Sequence, residues 1–250
     1  MANERASEPT RSERAVEAAS EGACRGARGA KPLGVRKPRP GEPVPDLLPD
    51  KLTLENVAGA ANDCKACDLY KRGTQTVFGE GPQRATLMLV GEQPGDAEDL
   101  AGHPFVGPAG KLLDRALDDA GIDRKKVYVT NVVKHFKWEP RGKRRIHAKP
   151  NAAEISACRP WLETEIALIK PQALVCLGAT AAQALLGKTF KVSKQRGEFV
   201  DSSLARLVMA TVHPSSILRA RDDETRRVEM ERFVADLKKL ASAFKRIGSG

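Results

Sequence analysis

The chain has no hydrophobic run long enough to cross a bilayer. No window of its 250 residues holds the roughly 18 consecutive apolar residues of a membrane span. Nor does its start, Met1-Ala-Asn-Glu-Arg5, carry the apolar core of a secretory signal. The expectation is a cytoplasmic protein with no membrane partner. In that reducing setting its five cysteines are better read as metal ligands or core thiols than as disulfides. Large apolar residues are almost missing from residues 1–48, a stretch rich in Glu, Arg, Ala, Gly and Pro. Such a segment cannot offset the entropy lost on folding. It is expected to be a disordered tail in which Cys24 is incidental, with residues 49–245 forming one folded domain.

What is present is a surplus of positive charge, +10 in formal terms. The first fifty residues hold nine Lys/Arg and eight Asp/Glu. The surplus therefore sits on the part expected to fold. It favours a polyanion such as nucleic acid as partner, although solubility alone accounts for it equally well.

From Leu52 the pattern becomes periodic. Leu54, Val57, Ala58 and Ala61 have helical spacing. The runs 85–90 (ATLMLV), 127–130 (VYVT), 173–177 (ALVCL) and 207–212 (LVMATV) read as four buried strands. Between and after them, 110–120, 151–169, 180–186 and 224–244 read as helices, with Gly121, Pro171 and Gly187 as stops. Strands alternating with helices predict a three-layer α/β/α sandwich around a mostly parallel sheet. Ligands of such sheets bind beyond the carboxyl ends of the strands. The polar motifs fall there: Gly91–Gly95, Asn131 and His213–Ser216. Gly187-Lys-Thr189 is not a phosphate-binding loop, because position 182 is Ala182 and the tripeptide follows a helix instead of opening one.

Cys64 and Cys67 are spaced to grip one metal centre from a turn, and Cys158 and Cys176 stand much further on. The pair alone is compatible with zinc, redox or purely structural roles, and Cys176 lies mid-strand, where a buried free thiol is common. Glu92, Gln93 and Asp96 follow the first strand. Glu92 is a base or charge stabiliser if a cleft lies there, and part of a plain acidic turn if none does. Phe105, set among glycines and prolines, has the surroundings of an aromatic that stacks on a flat base. Lys143, Arg144, Arg145 and His147 share one loop between Pro140 and Pro150. The loop is either a solvated basic segment or one that grips phosphates and delivers an imidazole. His213, Ser215 and Arg219 follow the fourth strand.

Taken together, Cys64–Cys67, GEQPGDAED (91–99), PFVGPAG (104–110), VTNVVK (129–134), ACRPWL (157–162) and HPSSILR (213–219) resemble the family 4 iron–sulfur uracil-DNA glycosylases. The resemblance spans about residues 52–240. Two features, Gln93 in GEQPG and the long stretch containing KRRIH, resemble the UdgX type, whose loop histidine bonds to the deoxyribose after uracil is lost. The resemblance implies a four-iron, four-sulfur (4Fe–4S) cluster on Cys64, Cys67, Cys158 and Cys176. It implies a monomer acting on uracil-containing DNA, preferentially single-stranded.

The roles that follow from it are these. Phe105 stacks on the uracil ring and Asn131 reads its O4 and N3–H edge. His213 bonds O2 and stabilises the leaving base. Glu92 favours the sugar cation, and His147 attacks C1′. Gln93 and Asp96 belong to the substrate site. Lys143, Arg144, Arg145, Ser215 and Arg219 hold DNA. Two rival readings stand beside this one: a glycosylase that turns over with water, and a non-catalytic iron–sulfur or zinc DNA-binding module.

Overall fold

The computed structural model describes residues 44–248. In chain order its elements are α1 (Leu54–Asn62), β1 (Leu87–Gly91), α2 (Asp96–Ala101), α3 (Pro108–Asp119), β2 (Val127–Asn131), β3 (Trp138–Arg141) and β4 (Arg144–His147). They continue with α4 (Ala152–Ile169), β5 (Ala173–Leu177), α5 (Ala179–Leu186), α6 (Val192–Gln195), β6 (Leu207–Thr211), α7 (Pro214–Leu218) and α8 (Asp223–Gly248). A 3-10 helix at Val44–Leu47 precedes them, and Val44 is buried in the core. Packed structure thus begins ahead of residue 49, and the rest of the expected tail lies outside the described residues.

The strands β2-β1-β5-β6 form one parallel sheet in that order. Successive side chains of a strand point to opposite faces, and here the alternation divides two cores. Met88, Val90, Tyr128, Leu174 and Val208 face α1, α4 and α5. Leu87, Leu89, Val129, Val175 and Met209 face α3, α7 and α8. Both faces are therefore covered, which is why these strands read as continuous apolar runs. Each fully buried aliphatic side chain contributes roughly 1.5–3 kcal/mol. Among the described residues no helix is long and apolar enough to cross a membrane.

Local chemistry sets the helix starts. The Thr53 hydroxyl accepts from the Asn56 N–H at 3.2 Å and opens α1. Asn151 caps α4 through the Glu154 N–H at 2.9 Å, while the Glu154 carboxylate returns to the Asn151 N–H at 2.7 Å, a reciprocal box that satisfies two orphan donors. Pro108 occupies the first turn of α3, where no N–H is missed.

One expectation needs correction. The basic segment is no loop: β3 and β4 pair antiparallel as a hairpin, with Trp138 opposite His147 and Arg141 opposite Arg144. Gly142 at φ +59 opens its two-residue turn, a conformation that costs glycine little.

Candidate active site

In the sheet order, β1 leads on to β2 on one side while β5 leads on to β6 on the other. The crevice between β1 and β5 is the switch point where open α/β sheets bind ligands. A cavity of about 760 Å³ opens there, lined by Glu92, Phe105, Asn131, His147, His213 and Arg219 among others. Segments far apart in sequence supply these side chains, and the carboxyl ends of the strands bring them together.

Asn131 ends β2 and is buried. Its amide and the Phe105 ring share the space above Gly91: a Cβ there would collide with Asn131 Oδ1 and stand 2.8 Å from Phe105 Cζ. Glycine at the end of β1 is thus what admits both groups. Phe105 itself sits in the left-handed region at φ +58, a strained setting for an aromatic residue. Its ring stacks on that of His213, with centroids 6.2 Å apart. The Glu98 carboxylate holds this arrangement by accepting from Gly95 N–H at 3.1 Å and Gly107 N–H at 2.9 Å. That ties the turn after β1 to the loop before α3.

His213 follows β6. Its Nδ1 accepts from the Ser215 N–H at 3.1 Å and pairs with the Ser215 hydroxyl at 2.8 Å. A nitrogen that accepts from a main-chain donor cannot carry a proton. The neutral ring therefore carries its proton on Nε2. Burial, then the charges of Arg219 and His147, push its pKa down to about 4. Ser215, expected on DNA, is engaged in this contact.

Glu92 receives a short hydrogen bond from the Thr180 hydroxyl across the β1/β5 crevice. Its other oxygen stands 3.3 Å from His147 Nε2. Burial lowers the pKa of His147, Glu92 opposes that shift, and Arg219 adds to it. The net fall favours the neutral imidazole. The hairpin that carries this residue is fastened at both ends. The Gln93 amide donates to the carbonyls of Lys137 and Ala148, both at 3.1 Å, and its oxygen accepts from Lys137 N–H at 3.2 Å. Arg145 pairs with Asp96 and with the fully buried Asp99, both at 2.6 Å, and lies over the rings of Phe136 and Trp138.

Three expected roles change accordingly. Gln93 borders the cavity but spends its amide on the hairpin. Asp96 does not line the cavity and pairs with Arg145 instead. Arg145 faces carboxylates and so is not free for phosphate. Lys143 and Arg144 are exposed, and Arg219 is exposed at the cavity.

A model of the uracil DNA glycosylase superfamily matches residues 78–238. The chain belongs to this superfamily. It is 39% identical over 196 residues to a type-4 uracil-DNA glycosylase of Thermotoga maritima, a match covering 78% of this chain and 96% of that protein. A type-4 uracil-DNA glycosylase of Pyrobaculum aerophilum is 35% identical over 175 residues, covering 67% and 86%. A type-5 uracil-DNA glycosylase of the same organism is 32% identical over 180 residues, covering 65% and 74%. The superfamily match spans every cavity-lining residue named above.

The cysteines form a separate region. Cys64, Cys158 and Cys176 are buried and Cys67 is partly so. The Trp161 indole N–H donates to Cys64 Sγ at 3.3 Å, and the Lys134 N–H donates to Cys158 Sγ at 3.2 Å. Burial pushes the Cys158 thiol up to about 12, and Cys64 and Cys67 add to the rise; the three sulfurs lie within electrostatic reach of one another. Among the described residues no three His, Cys, Asp or Glu side chains are gathered around a single ion. Two thiols three residues apart after α1 and a third on α4 have the chemistry of iron–sulfur ligands. Cys176 sits mid-strand in β5, paired with Val90 and Ala210, and burial raises its thiol, also to about 12.

Sequence reasoning missed Thr180, Glu98 and Asp99 as supports of the site. It also missed a buried network around Lys134 and Glu165. Gly142-Lys143 between two short extended runs was the available signal for the hairpin, and Pro140 within the first run masked it.

Proposed function

We propose that the protein excises uracil from DNA and that His147 captures the exposed deoxyribose, a UdgX-like reaction. The observation that carries this reading is the placement of His147. A neutral imidazole stands against the Glu92 carboxylate at a cavity walled by Phe105, Asn131 and His213, and its hairpin is pinned from within the protein. A solvated basic loop would have neither feature.

The base must leave the duplex stack, or be met in a single strand, to enter such a cavity. Phe105 offers a face for stacking and Asn131 a donor and an acceptor for the uracil edge. His213, with its proton on Nε2, donates to O2 as charge grows there. The C1′–N1 bond breaks and uracil leaves with the electron pair. Glu92 stabilises the sugar cation. A ring nitrogen of His147 then forms the new bond to C1′ with its lone pair, and the imidazolium passes its remaining proton to Glu92 or to water. Lys143, Arg144 and Arg219 hold phosphates. Cys64, Cys67 and Cys158 would hold a 4Fe–4S cluster, which would fasten the segment after α1 to α4 in a structural role.

The test is a denaturing gel after mixing with a uracil-containing oligonucleotide, followed by mass spectrometry of the peptide containing residue 147. A shifted band carrying sugar on His147 is expected. His147→Ala should lose the band and release free abasic DNA. Abasic product from the wild type without a shifted band selects the turnover glycosylase, and neither product selects the binding module.

A further inference from the structure

Lys134 and Glu165 form an ion pair in the core, with side chains 1% and 0% exposed. Burying two charges costs several kcal/mol per ion, and apolar replacements of such pairs are often as stable. Stability alone is therefore a poor reason for the pair. The ammonium has three protons, and each finds an acceptor: Glu165 Oε2 at 2.5 Å, Thr130 Oγ1 at 2.6 Å and the main-chain carbonyl of Asn131 at 2.7 Å. Glu165 is held in turn by the Tyr128 hydroxyl at 2.9 Å and the Gly79 N–H at 3.0 Å.

The third acceptor matters most. Asn131 is the last residue of β2, paired with Gly91, and its carbonyl accepts from the Lys134 ammonium. The turn that follows is also tied to β1, by Val132 N–H to Gly91 O and Val133 N–H to Glu92 O, both at 3.0 Å. At its far end the Lys134 N–H meets Cys158 Sγ. One buried ammonium thus closes the turn 131–134, from which the Asn131 amide enters the cavity and on which the main chain of Glu92 rests.

We propose that Lys134, anchored by Glu165, is a positioning residue for base recognition. It fixes the Asn131 main chain so that the Asn131 amide stands ready for the base edge. This rests on the reading of Asn131 as the group that reads uracil.

The test pairs Lys134→Met with Glu165→Gln, so that neither charge is left alone. The amide oxygen of Gln still accepts from Tyr128 and Gly79. Single-turnover excision of uracil from a single-stranded oligonucleotide is measured in two backgrounds, wild type and Asn131→Ala, with Tm recorded for each protein. If Lys134 acts through Asn131, the paired change slows excision about tenfold in the first background, the worth of one well-placed hydrogen bond. In the second it costs less than about twofold, because a positioning effect vanishes with the group positioned. Should the paired variant not fold, Glu165→Gln alone is compared in the same two backgrounds. Equal losses in both backgrounds, or none in the first, overturn the proposal. A wild type that leaves uracil in place, or an Asn131→Ala protein as fast as wild type, overturns the reading beneath it instead.

Discussion

Gly91→Ala isolates the cavity from the fold. The backbone of Gly91 is outside the left-handed region, so alanine meets no main-chain strain. Its Cβ would overlap Asn131 Oδ1 and stand 2.8 Å from Phe105 Cζ, against roughly 3.5–4.0 Å for a relaxed carbon pair. One of the two must move by about 1 Å, and misplacement of that size costs on the order of 100-fold in rate. Overpacking of one methyl costs about 1–3 kcal/mol of stability. Single-turnover excision from a uracil oligonucleotide, with enzyme in excess, should fall about 100-fold while the protein stays folded with Tm lowered by several degrees. Gly59→Ala in α1 is the matched control: its Cβ meets nothing within 4 Å, so the rate should hold and stability rise by about 0.5–1 kcal/mol. A folded Gly91→Ala protein with a rate within roughly threefold of wild type, less than 1 kcal/mol of barrier, would refute the placing of Asn131 and Phe105 on the base.

Arg145→Met should slow adduct formation about tenfold or more by loosening the hairpin, yet leave the salt dependence of DNA binding unchanged. Lys143→Gln with Arg144→Gln should flatten that dependence; flattening by Arg145→Met would show it on phosphate after all. Anaerobically purified protein should be brown, with iron and sulfide in equal amounts. Cys64→Ser should lose both and Cys176→Ala keep both, whereas stoichiometric zinc without sulfide would refute the cluster. His213 gives a stability signature. Its folded pKa of about 4 lies below the unfolded value near 6.5, so its contribution is complete above that value and is lost as pH falls towards 4. The loss is about 2 kcal/mol by pH 5. His135, also pushed down to about 4 by burial, gives an equal slope, so His213→Asn should lower the loss between pH 7 and 5 by about 2 kcal/mol without abolishing it, and an unchanged slope would mean that the His213 pKa is not depressed in the fold.

The sheet was legible because parallel strands buried on both faces leave uninterrupted apolar runs, and ALVCL and LVMAT could be little else. The strand-end rule then placed Glu92, Asn131 and His213 correctly on one cavity. Side-chain partners were not legible. Arg145 sits in a basic run, and nothing local distinguishes a guanidinium turned in to Asp96 and Asp99 from one turned out to phosphate. Gln93 beside Glu92 at a strand end reads as a substrate ligand, yet its partners are main-chain groups 44 and 55 residues on.

In the proposed reaction the two cavity histidines need opposite faculties from the same neutral state. His213 must give a proton bond to the base, and Ser215 settles that by occupying Nδ1. His147 must offer a lone pair to C1′. A charged imidazole would be useless for attack, and on His213 it would cost the Ser215 bond. Arg219 depresses both while remaining exposed at the cavity, where the DNA backbone would pass. Its charge can serve phosphate binding and imidazole neutrality together. Bound phosphate would weaken the second effect by partly cancelling the charge, which leaves burial, the largest cause for both rings, as the effect that persists in the complex. In that reaction the base would depart from a site already arranged for neutral imidazole, and the hairpin that carries His147 is fixed there by Gln93 and Arg145 before any DNA arrives. The competing nucleophile is water. The advantage of a held reactant over a free one, up to roughly 7–11 kcal/mol in well-oriented cases, is large enough that a histidine so placed would outcompete it.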